Sequence, residues 1–521
     1  MSSQKTDLMR KASELVLSMV VLAVFSGVAI LNFYRLNFAS IAGPSRLLHY
    51  YFAMLALALA GSLAAKLALR SVPAYRIILV AASASFMAFS YGEIKALVGN
   101  NSASLSIACW ALATILVGFV VGTLSKRTAF LPTMIIVGMV YMVPAAIGLV
   151  EARPQHLADE GAAALSLTAR NTPNVYWIVL DGYPRADVLQ QFFDFDNAPF
   201  LQGLRDLNFV VYDHALASFP ETIFSISSTL SLGFLVNGTG SSIRMPPPAE
   251  LYPIVRGQSV VVHTIRSMGY RYIRFQNGYD NLTQCPKEGA VCIKGNVKEG
   301  AENVQFDEFD VAILSKTPLI DIIARGNAVG AIDETPFLRG SVQDLTDKLA
   351  SVQAHGEGGP FFLYGHILAP HPPIRFRRDC STRMAAPDLL SWNATEKPAF
   401  LEQLVCVNRE ATDLVGRLVR SDPGAIIVVQ SDHGTAFRGQ FKKPFDAWNE
   451  LDLKERFGAL NAIRMPPSCS NYAQGSVDLV NTFSRVLSCI SDTSLPDKSA
   501  RLFVVSHDGD MTGVHEYNRD F

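Results

Sequence analysis

Five long apolar runs fill the first part of the chain and restrict what it can fold into. They lie at about residues 13–33, 48–65, 75–93, 103–124 and 129–150. Each approaches the roughly 20 apolar residues that a helix needs to cross a bilayer. A single run of this kind could be a buried core helix, but five in succession with short connections favour membrane spans. The sequence therefore predicts an all-α transmembrane bundle of five helices over residues 1–150.

Basic residues in the connections predict how these helices are oriented. Most of them lie at the start of the chain and after the second and fourth runs: Lys5, Arg10, Lys11, Lys66, Arg70, Arg76, Lys126 and Arg127. Cytoplasmic loops of membrane proteins are enriched in Lys and Arg. We therefore expect a multi-pass protein of a bacterial inner membrane with a cytoplasmic N-terminus. An odd number of spans then places the chain after residue 150 in the periplasm or outside the cell.

The remainder of the chain has the composition of a globular domain. Residues 151–172 mix small, polar and charged residues and are expected to form a linker, so that residues 173–521 make up the extracytoplasmic domain. The formal net charge of the protein is only -1. A chain with this balance lacks the basic surface of a nucleic-acid-binding protein, and no nucleic-acid partner is expected.

The cysteines support an extracytoplasmic location independently. Cys109 lies inside a predicted span, and six others follow the last span: Cys285, Cys292, Cys380, Cys406, Cys469 and Cys489. An even number fits disulfides in an oxidising compartment. Pairing of nearest neighbours in the sequence is the simplest arrangement, and unpaired buried thiols are the alternative. A metal cluster is less consistent with the sequence, because no close C-x-x-C pair occurs.

Three short apolar runs organise the second domain. They cover residues 175–180, 361–364 and 425–429, and none alternates polar with apolar residues. Such runs are typical of parallel strands that are buried on both faces. Segments with helical spacing lie between them, so the sequence predicts an α/β domain with a largely parallel sheet covered by helices.

Residues that can bind metals follow each of these strands. Asp181 ends the first, His366 and His371 come at the end of the second, and Asp432 and His433 follow the third. Ligands of open α/β sheets bind beyond the carboxyl ends of the strands. A single Asp or His in such a place is often a cap or a structural residue, but adjacent Asp432 and His433 favour a divalent-cation site.

A segment rich in hydroxyl groups offers a nucleophile. Pro220 and Glu221 resemble the start of a helix, which would place Thr222 in its first turn. Free N–H groups at a helix N-terminus favour a phosphate or sulfate. An ordinary cap with a Ser-rich helix behind it is the alternative. Spacing alone does not select Thr222 over Ser218 or Ser225.

Four blocks in this order resemble the alkaline-phosphatase/sulfatase superfamily. They are Pro173–Gly182, the Thr222 segment, His366-x4-His371-Pro372 and Ser431–Gly434. The sequence is most similar to membrane-bound phosphoethanolamine transferases and lipoteichoic acid synthases, which also have five spans followed by an extracytoplasmic catalytic domain. The resemblance implies that Asp181, Thr222, Asp432 and His433 bind a metal and that Thr222 is the nucleophile. It implies that His366 and His371 contact the transferred phosphate or a second metal.

The same resemblance implies a reaction. We expect a metal-dependent enzyme that transfers a phospholipid head group, of the phosphoethanolamine or phosphoglycerol type, to an envelope glycan or lipid through a phospho-threonine intermediate. Zn is the first choice for the metal, and Mn or Mg also fit oxygen ligands. The Cys/Ser-x-Pro-x-Arg signature of ordinary sulfatases is absent around Thr222, and so is the cysteine-flanked threonine motif of the lipid A enzymes. The alternatives are a phosphatase, phosphodiesterase or sulfuric ester hydrolase, and a non-catalytic scaffold that binds a glycan or lipid.

Overall fold

The structure is a computed structural model that describes most of the residues of the chain. These are residues 2–37, 45–98, 103–127, 130–151, 163–236, 243, 245–246, 248–276, 280–283, 285–286, 288–295, 313–322, 341–355, 358–372, 374–382, 392–475, 477–505 and 513–517.

The chain divides into two compact units. The first contains Met1–Gln155 and Glu308–Asp333, and the second contains His156–Asp307 and Glu334–Phe521. The predicted boundaries placed Glu308–Asp333 in the second domain, whereas in the structure this segment belongs to the first unit. Of the predicted linker, residues 151–172, residues 152–162 lie outside the described residues, and the extent of the linker stays a prediction.

Six helices form the N-terminal part of the first unit: α1 (Ser2–Asn37), α2 (Ser45–Ala68), α3 (Ala74–Ala88), α4 (Tyr91–Val98), α5 (Ala103–Leu124) and α6 (Phe130–Glu151). Three helical stretches are long and apolar enough to cross a membrane: Lys5–Tyr34, Leu47–Ala68 and Ala103–Leu124. Two further apolar stretches, Ala74–Ala88 and Phe130–Val143, are shorter. Three of the five predicted spans thus coincide with helices that are candidates for crossing a membrane, and a bundle of five spans stays a prediction.

Residues 313–322, which we call the anchor segment, pack within this first unit. Ile313, Leu314 and Ile320 are buried there. Asp321 is also buried, and its carboxylate accepts hydrogen bonds from the Tyr91 hydroxyl and from Lys95 Nζ, the latter at 2.9 Å. A buried carboxylate needs such partners because desolvation of the charge is costly. The anchor segment is therefore held to the first unit by apolar packing and by an ion pair.

The second unit contains nine strands and eleven α-helices among the described residues. The strands are β1 (Val175–Leu180), β2 (Val210–Val211), β3 (Arg271–Gln276), β4 (Val291–Lys294), β5 (Phe361–Ile367), β6 (Ile426–Gln430), β7 (Asn461–Arg464), β8 (Leu502–Val505) and β9 (Val514–Tyr517). The α-helices are α7 (Ala186–Phe193), α8 (Ala198–Asp206), α9 (Thr222–Leu230), α10 (Pro248–Val255), α11 (Val260–Ser267), α12 (Asp280–Thr283), α13 (Val342–Asp347), α14 (Leu349–Ala354), α15 (Lys397–Ser421), α16 (Glu450–Phe457) and α17 (Thr482–Ser491). Short 3-10 helices cover Ala394–Glu396, Gln440–Lys442, Pro467–Ala473 and Leu479–Asn481.

Seven of the strands form one sheet in the order β2-β7-β6-β1-β5-β3-β4. The five strands from β6 to β4 are parallel, whereas β7 and β2 join antiparallel at one edge. The predicted α/β domain with a mostly parallel sheet is confirmed. The central strand β1 is buried along its whole length, since Trp177 faces one apolar core and Tyr176 faces the other. This two-sided burial explains why its sequence is continuously apolar.

Three disulfides join the six cysteines of the second unit: Cys285–Cys292, Cys380–Cys406 and Cys469–Cys489. Each links nearest neighbours in the sequence. Cys109, in α5, is a free thiol. The pairs tie β4 to the chain before it, the N-terminal half of α15 to the preceding loop, and α17 to the chain after β7. They close loops in the second unit, and an oxidising compartment would maintain them.

Candidate active site

The register of the sheet brings three polar strand ends to one edge. Val179 lies opposite His366 of β5 on one side and opposite Gln430 of β6 on the other. Asp181 and Asp432 therefore follow neighbouring parallel strands at almost the same level. Both carboxylates and His366 are buried, at 1% exposure or less. This edge is the place where open α/β sheets bind their ligands.

The predicted site residues converge there. His433 Nε2 lies 3.2 Å from Asp432 Oδ2, 3.6 Å from Asp181 Oδ1 and 3.2 Å from Thr222 Oγ1. His366 Nε2 lies 3.2 Å from Asp181 Oδ2. Two triads have ligand atoms within 4.8 Å of one another, namely Asp181 with His371 and His433, and Asp181 with His366 and Asp432. The structure thus brings together all six residues that the sequence selected.

The state of His433 shows that this cluster fits a divalent cation. Its Nδ1 lies 2.9 Å from the carbonyl oxygen of Gly434, and because a carbonyl can only accept, Nδ1 carries the proton. Burial lowers the pKa of His433 well below its usual value, so the imidazole is neutral at pH 7. Its Nε2 lone pair therefore faces the carboxylates of Asp181 and Asp432. The imidazole and the two carboxylates thus direct lone pairs toward one another with no proton between them. Such an arrangement suits a bound cation.

Asp432 is held in the ionised form that a metal ligand requires. Burial alone would raise its pKa, but the neighbouring imidazoles and the N–H of Gly182 outweigh burial and lower the pKa of Asp432 to about 2. Asp432 Oδ1 accepts hydrogen bonds from the N–H groups of Gly182, at 3.0 Å, and His433, at 2.9 Å. Two fixed donors on one oxygen orient the carboxylate and leave Oδ2 directed toward His433.

His371 is available as a further ligand. Its Nδ1 lies 2.6 Å from the carbonyl oxygen of Pro372 and carries the proton, which leaves Nε2 as an acceptor. Burial also lowers the pKa of His371, and that of His366, to about 4. A neutral Nε2 with a lone pair suits a cation better than a phosphate oxygen. Of the two roles that the resemblance implied for His371, the arrangement favours metal binding.

Thr222 is the first residue of α9, as the sequence predicted. Glu221 before it is extended, and the helix has no side-chain hydrogen bond at its N-cap. The N–H groups of the first turn are therefore open to an anion at the same end of the helix as the hydroxyl. Ser225 Oγ instead donates to the backbone oxygen of Asp432 at 2.6 Å. Among the hydroxyls of this segment, Thr222 is the one aligned with the cluster.

Helix α16 supplies two residues that the sequence analysis missed. The buried carboxylate of Glu455 accepts four hydrogen bonds from the chain just after His433, namely from Thr435 Oγ1 (2.8 Å), Phe437 N (2.8 Å), Arg438 N (3.2 Å) and Gln440 Nε2 (2.8 Å). Arg456, only 2% exposed, donates to the carbonyl oxygens of Pro220 and Gly434. Neither residue belongs to a motif in the sequence, and only their side-chain contacts identify them.

A family model described as Sulfatase matches residues 173–480, which is more than half of the chain. The chain belongs to the sulfatase family. The resemblance predicted from the four sequence blocks is confirmed at this level. As a member of this family the protein is an enzyme of the sulfatase and alkaline-phosphatase type, a phosphotransferase or a hydrolase.

Solved structures with a similar fold include periplasmic and membrane proteins. The C-terminal periplasmic domain of EcEptC from Escherichia coli is 13% identical, with 68% of this chain and 97% of that chain covered and a TM-score of 0.41. The integral membrane protein lipooligosaccharide phosphoethanolamine transferase A from Neisseria meningitidis is 11% identical, with coverages of 90% and 95% and a TM-score of 0.45. An alkaline phosphatase superfamily protein from Vibrio parahaemolyticus is 12% identical, with coverages of 71% and 83% and a TM-score of 0.41. No curated protein matches the sequence of this sulfatase-family chain.

Proposed function

We propose that this sulfatase-family enzyme transfers a phospholipid head group to an acceptor hydroxyl on an envelope glycan or lipid, through a phosphodiester on Thr222. One observation carries the proposal. Thr222 begins a helix with an open N-terminus, and its Oγ1 lies 3.2 Å from His433 Nε2 within a cluster of buried metal-binding side chains. A hydroxyl nucleophile, donors for an anion and cation ligands therefore occupy one place.

The proposed reaction has two displacements at phosphorus. Thr222 Oγ, after loss of its proton to water, forms a bond to the head-group phosphorus, and the bond to the diacylglycerol oxygen breaks. Diacylglycerol takes up a proton and leaves. The acceptor hydroxyl then attacks, loses its proton and releases Thr222, which is protonated again. The open N–H groups of α9 stabilise the charge on the non-bridging oxygens in both steps.

Asp181, Asp432 and His433 would hold a divalent cation beside Thr222, and His366 and His371 complete the two triads. Zn is the proposed metal because imidazole nitrogens and carboxylates are its usual ligands. Such a cation supplies positive charge that lowers the pKa of a nearby hydroxyl. The protein fixes these ligands in advance, because His433 and His371 each donate Nδ1–H to a backbone oxygen.

The membrane helices support a lipid donor. The same chain carries three helices long and apolar enough to cross a bilayer. We propose that they anchor the protein in a bacterial inner membrane with its N-terminus in the cytoplasm and its enzyme unit on the extracytoplasmic side. The three disulfides of the enzyme unit fit that compartment. An anchored enzyme meets membrane phospholipids without first having to capture them from solution.

The test follows phospholipids labelled in the head group, in membranes that contain native protein, T222A or T229A. Thr229 is a buried threonine on the same helix whose Oγ1 donates to the backbone oxygen of Ser225 at 3.0 Å, so T229A is a matched control. We expect metal-dependent release of diacylglycerol by native protein and T229A, and a loss on the order of 10³-fold or more in T222A. A quenched reaction should show the phosphorylated head group on the peptide that contains Thr222.

The destination of the label decides between the remaining alternatives. Label on a glycan or lipid acceptor supports the transferase, whereas free phosphorylated head group identifies a hydrolase. Equal release by the native protein and T222A would contradict the role of Thr222. No release from any phospholipid would contradict the lipid donor and leave soluble phosphate or sulfate esters, or a binding scaffold, to be tested.

A further inference from the structure

None of the site residues predicted from the sequence is a lysine or an arginine, the side chains that usually bind a phosphate. In the observed arrangement, Nε2 of both His371 and His433 is an acceptor. The carboxylates of Asp181 and Asp432 would be used by a divalent cation. A phosphodiester carries a further negative charge in its two non-bridging oxygens. Such oxygens are commonly bound by the planar donor group of an arginine.

Arg456 carries a buried guanidinium that lies beside the segments of Thr222 and His433. Its Nε donates to the carbonyl oxygen of Pro220 at 2.6 Å, two residues before Thr222. Its Nη1 donates to the carbonyl oxygen of Gly434 at 2.6 Å, one residue after His433. The guanidinium therefore lies between the segment with the nucleophile and the segment with the metal ligands.

The surroundings of Arg456 leave one of its nitrogens, Nη2, without an acceptor among the described residues. The ring of Phe441 lies 4.9 Å from Cζ and the ring of Trp392 lies 5.6 Å from it. Aromatic rings stabilise a cation without using its N–H donors. Two nitrogens are engaged by the backbone, and among the residues that the structure describes Nη2 makes no hydrogen bond and no carboxylate forms an ion pair with Arg456.

The charge of Arg456 persists at neutral pH. Burial lowers the pKa of Arg456 to about 10, and the attraction of Asp432, Asp181 and Glu221 limits the decrease. Trp392, which lies beside Arg456, also contacts the ring of His371 at 4.8 Å between centroids. It is only half-buried. A cation next to this partly open aromatic group is placed to meet a substrate.

We propose that Arg456 binds a non-bridging oxygen of the phosphoryl group through Nη2, while its other nitrogens fix Pro220 and Gly434. The assignment rests on the proposed phosphoryl chemistry at Thr222 and adds the phosphate-binding side chain to it. A buried charged donor that is set before the reaction gains strength from the low local dielectric. Lysine in its place would keep the charge but lose the fixed planar geometry.

The experiment measures binding of inorganic phosphate to the full-length, metal-loaded protein in detergent by calorimetry, with no turnover. The variants are R456K and R456M, and the matched controls are R464K and R464M. Arg464 is also buried and also donates to two backbone oxygens, those of Ala425 and Pro423, at the opposite end of β6. We expect phosphate to bind about tenfold more weakly to R456K, and more weakly still to R456M, with normal metal binding. The Arg464 variants should bind phosphate as the native protein does.

Three other outcomes would overturn the assignment. Unchanged phosphate affinity in R456M would make Arg456 a support for the backbone only. Loss of metal together with phosphate in both variants would make it a positioning residue for the metal ligands. A native protein that does not bind phosphate would contradict both the assignment and phosphoryl chemistry. If phosphate binding depends on Arg456 but labelled phospholipids are not cleaved, the lipid-donor function fails and the assignment stands.

Discussion

Replacing Glu455 by glutamine tests whether a buried carboxylate holds the chain behind the metal ligands. Oε1 accepts from Thr435 Oγ1 and Phe437 N, and Oε2 accepts from Arg438 N and Gln440 Nε2. A glutamine can keep the first pair of bonds. Its amide NH₂ would take the place of Oε2. This NH₂ is a donor, and it would face two other donors, Arg438 N and Gln440 Nε2.

The cost can be worked out bond by bond. Gln440 can rotate its amide and accept from the new NH₂, since its Oε1 is buried and makes no hydrogen bond with the described residues. The rotation gives up the long bond from Gln440 Nε2 to the backbone oxygen of Asp452, at 3.3 Å, which costs roughly 0.5 kcal/mol. The N–H of Arg438 then loses its acceptor, at about 1–3 kcal/mol. The two bonds retained by Oε1 change from charge-assisted to neutral, which weakens each by roughly 1 kcal/mol, and the lower desolvation of a neutral group offsets part of this. The expected loss of stability in E455Q is about 2–4 kcal/mol.

The assay is thermal unfolding of the full-length protein in detergent, with metal affinity measured in parallel. For a domain of this size, each kcal/mol lowers Tm by roughly 2 °C, so E455Q should melt roughly 4–8 °C below the native protein. Metal affinity should fall about 10- to 100-fold, because outer residues that orient ligands contribute that much. E450Q, an exposed change on the same helix, is the control.

A double mutant provides the decisive comparison. In a Q440L background no amide can turn to accept from the new NH₂, so E455Q should cost more there than in the native protein. Equal costs in the two backgrounds would refute the proposed rearrangement of Gln440. If E455Q melts within about 1 °C of the native protein, the carboxylate does not hold this segment.

Three further changes test other parts of the structure. In G434A the added Cβ would overlap the backbone carbonyl oxygen of Glu455, so we expect a loss of about 3 kcal/mol or more in an unfolding measurement, and native-like melting would contradict the close approach. D432N should bind zinc at least about 100-fold more weakly by calorimetry, and native affinity would remove Asp432 from the ligand set. D321N leaves Lys95 without its buried partner, at about 3–5 kcal/mol, so trypsin should cut within residues 313–322 faster than in the native protein. Equal cleavage rates would show that this ion pair does not hold the anchor segment.

The sheet and the metal-binding cluster could be predicted from the sequence because their signals are local. The strands observed at 175–180, 361–367 and 426–430 are continuous apolar runs, and each carries its polar residues directly at its end. Parallel pairing then brings distant segments to one edge without further information. The last two strands at one side of the sheet, β2 and β7, are short, at two and four residues, and gave no comparable signal.

Helix α16 shows what could not be predicted. Its sequence from Glu450 to Phe457 contains five charged residues and is typical of a surface helix, yet Asp452, Glu455 and Arg456 are buried. Their burial depends on hydrogen bonds to distant backbone groups, which no spacing in the sequence reveals. Gly434 is a related case. The sequence suggests a sharp turn, but the structure requires glycine because the backbone of Glu455 approaches too closely for a Cβ.

The anchor segment also escaped prediction, because ten residues interrupted by polar groups fall short of a membrane span. Its placement has a practical consequence. The chain joins its two units through three covalent connections, near residues 155, 307 and 333. A single cut in the predicted linker would therefore leave the enzyme unit attached to the first unit. A secreted version that begins at residue 173 would carry the anchor segment without its partners, and Ile313, Leu314 and Ile320 would face water. Such a version should aggregate unless those apolar side chains are removed as well.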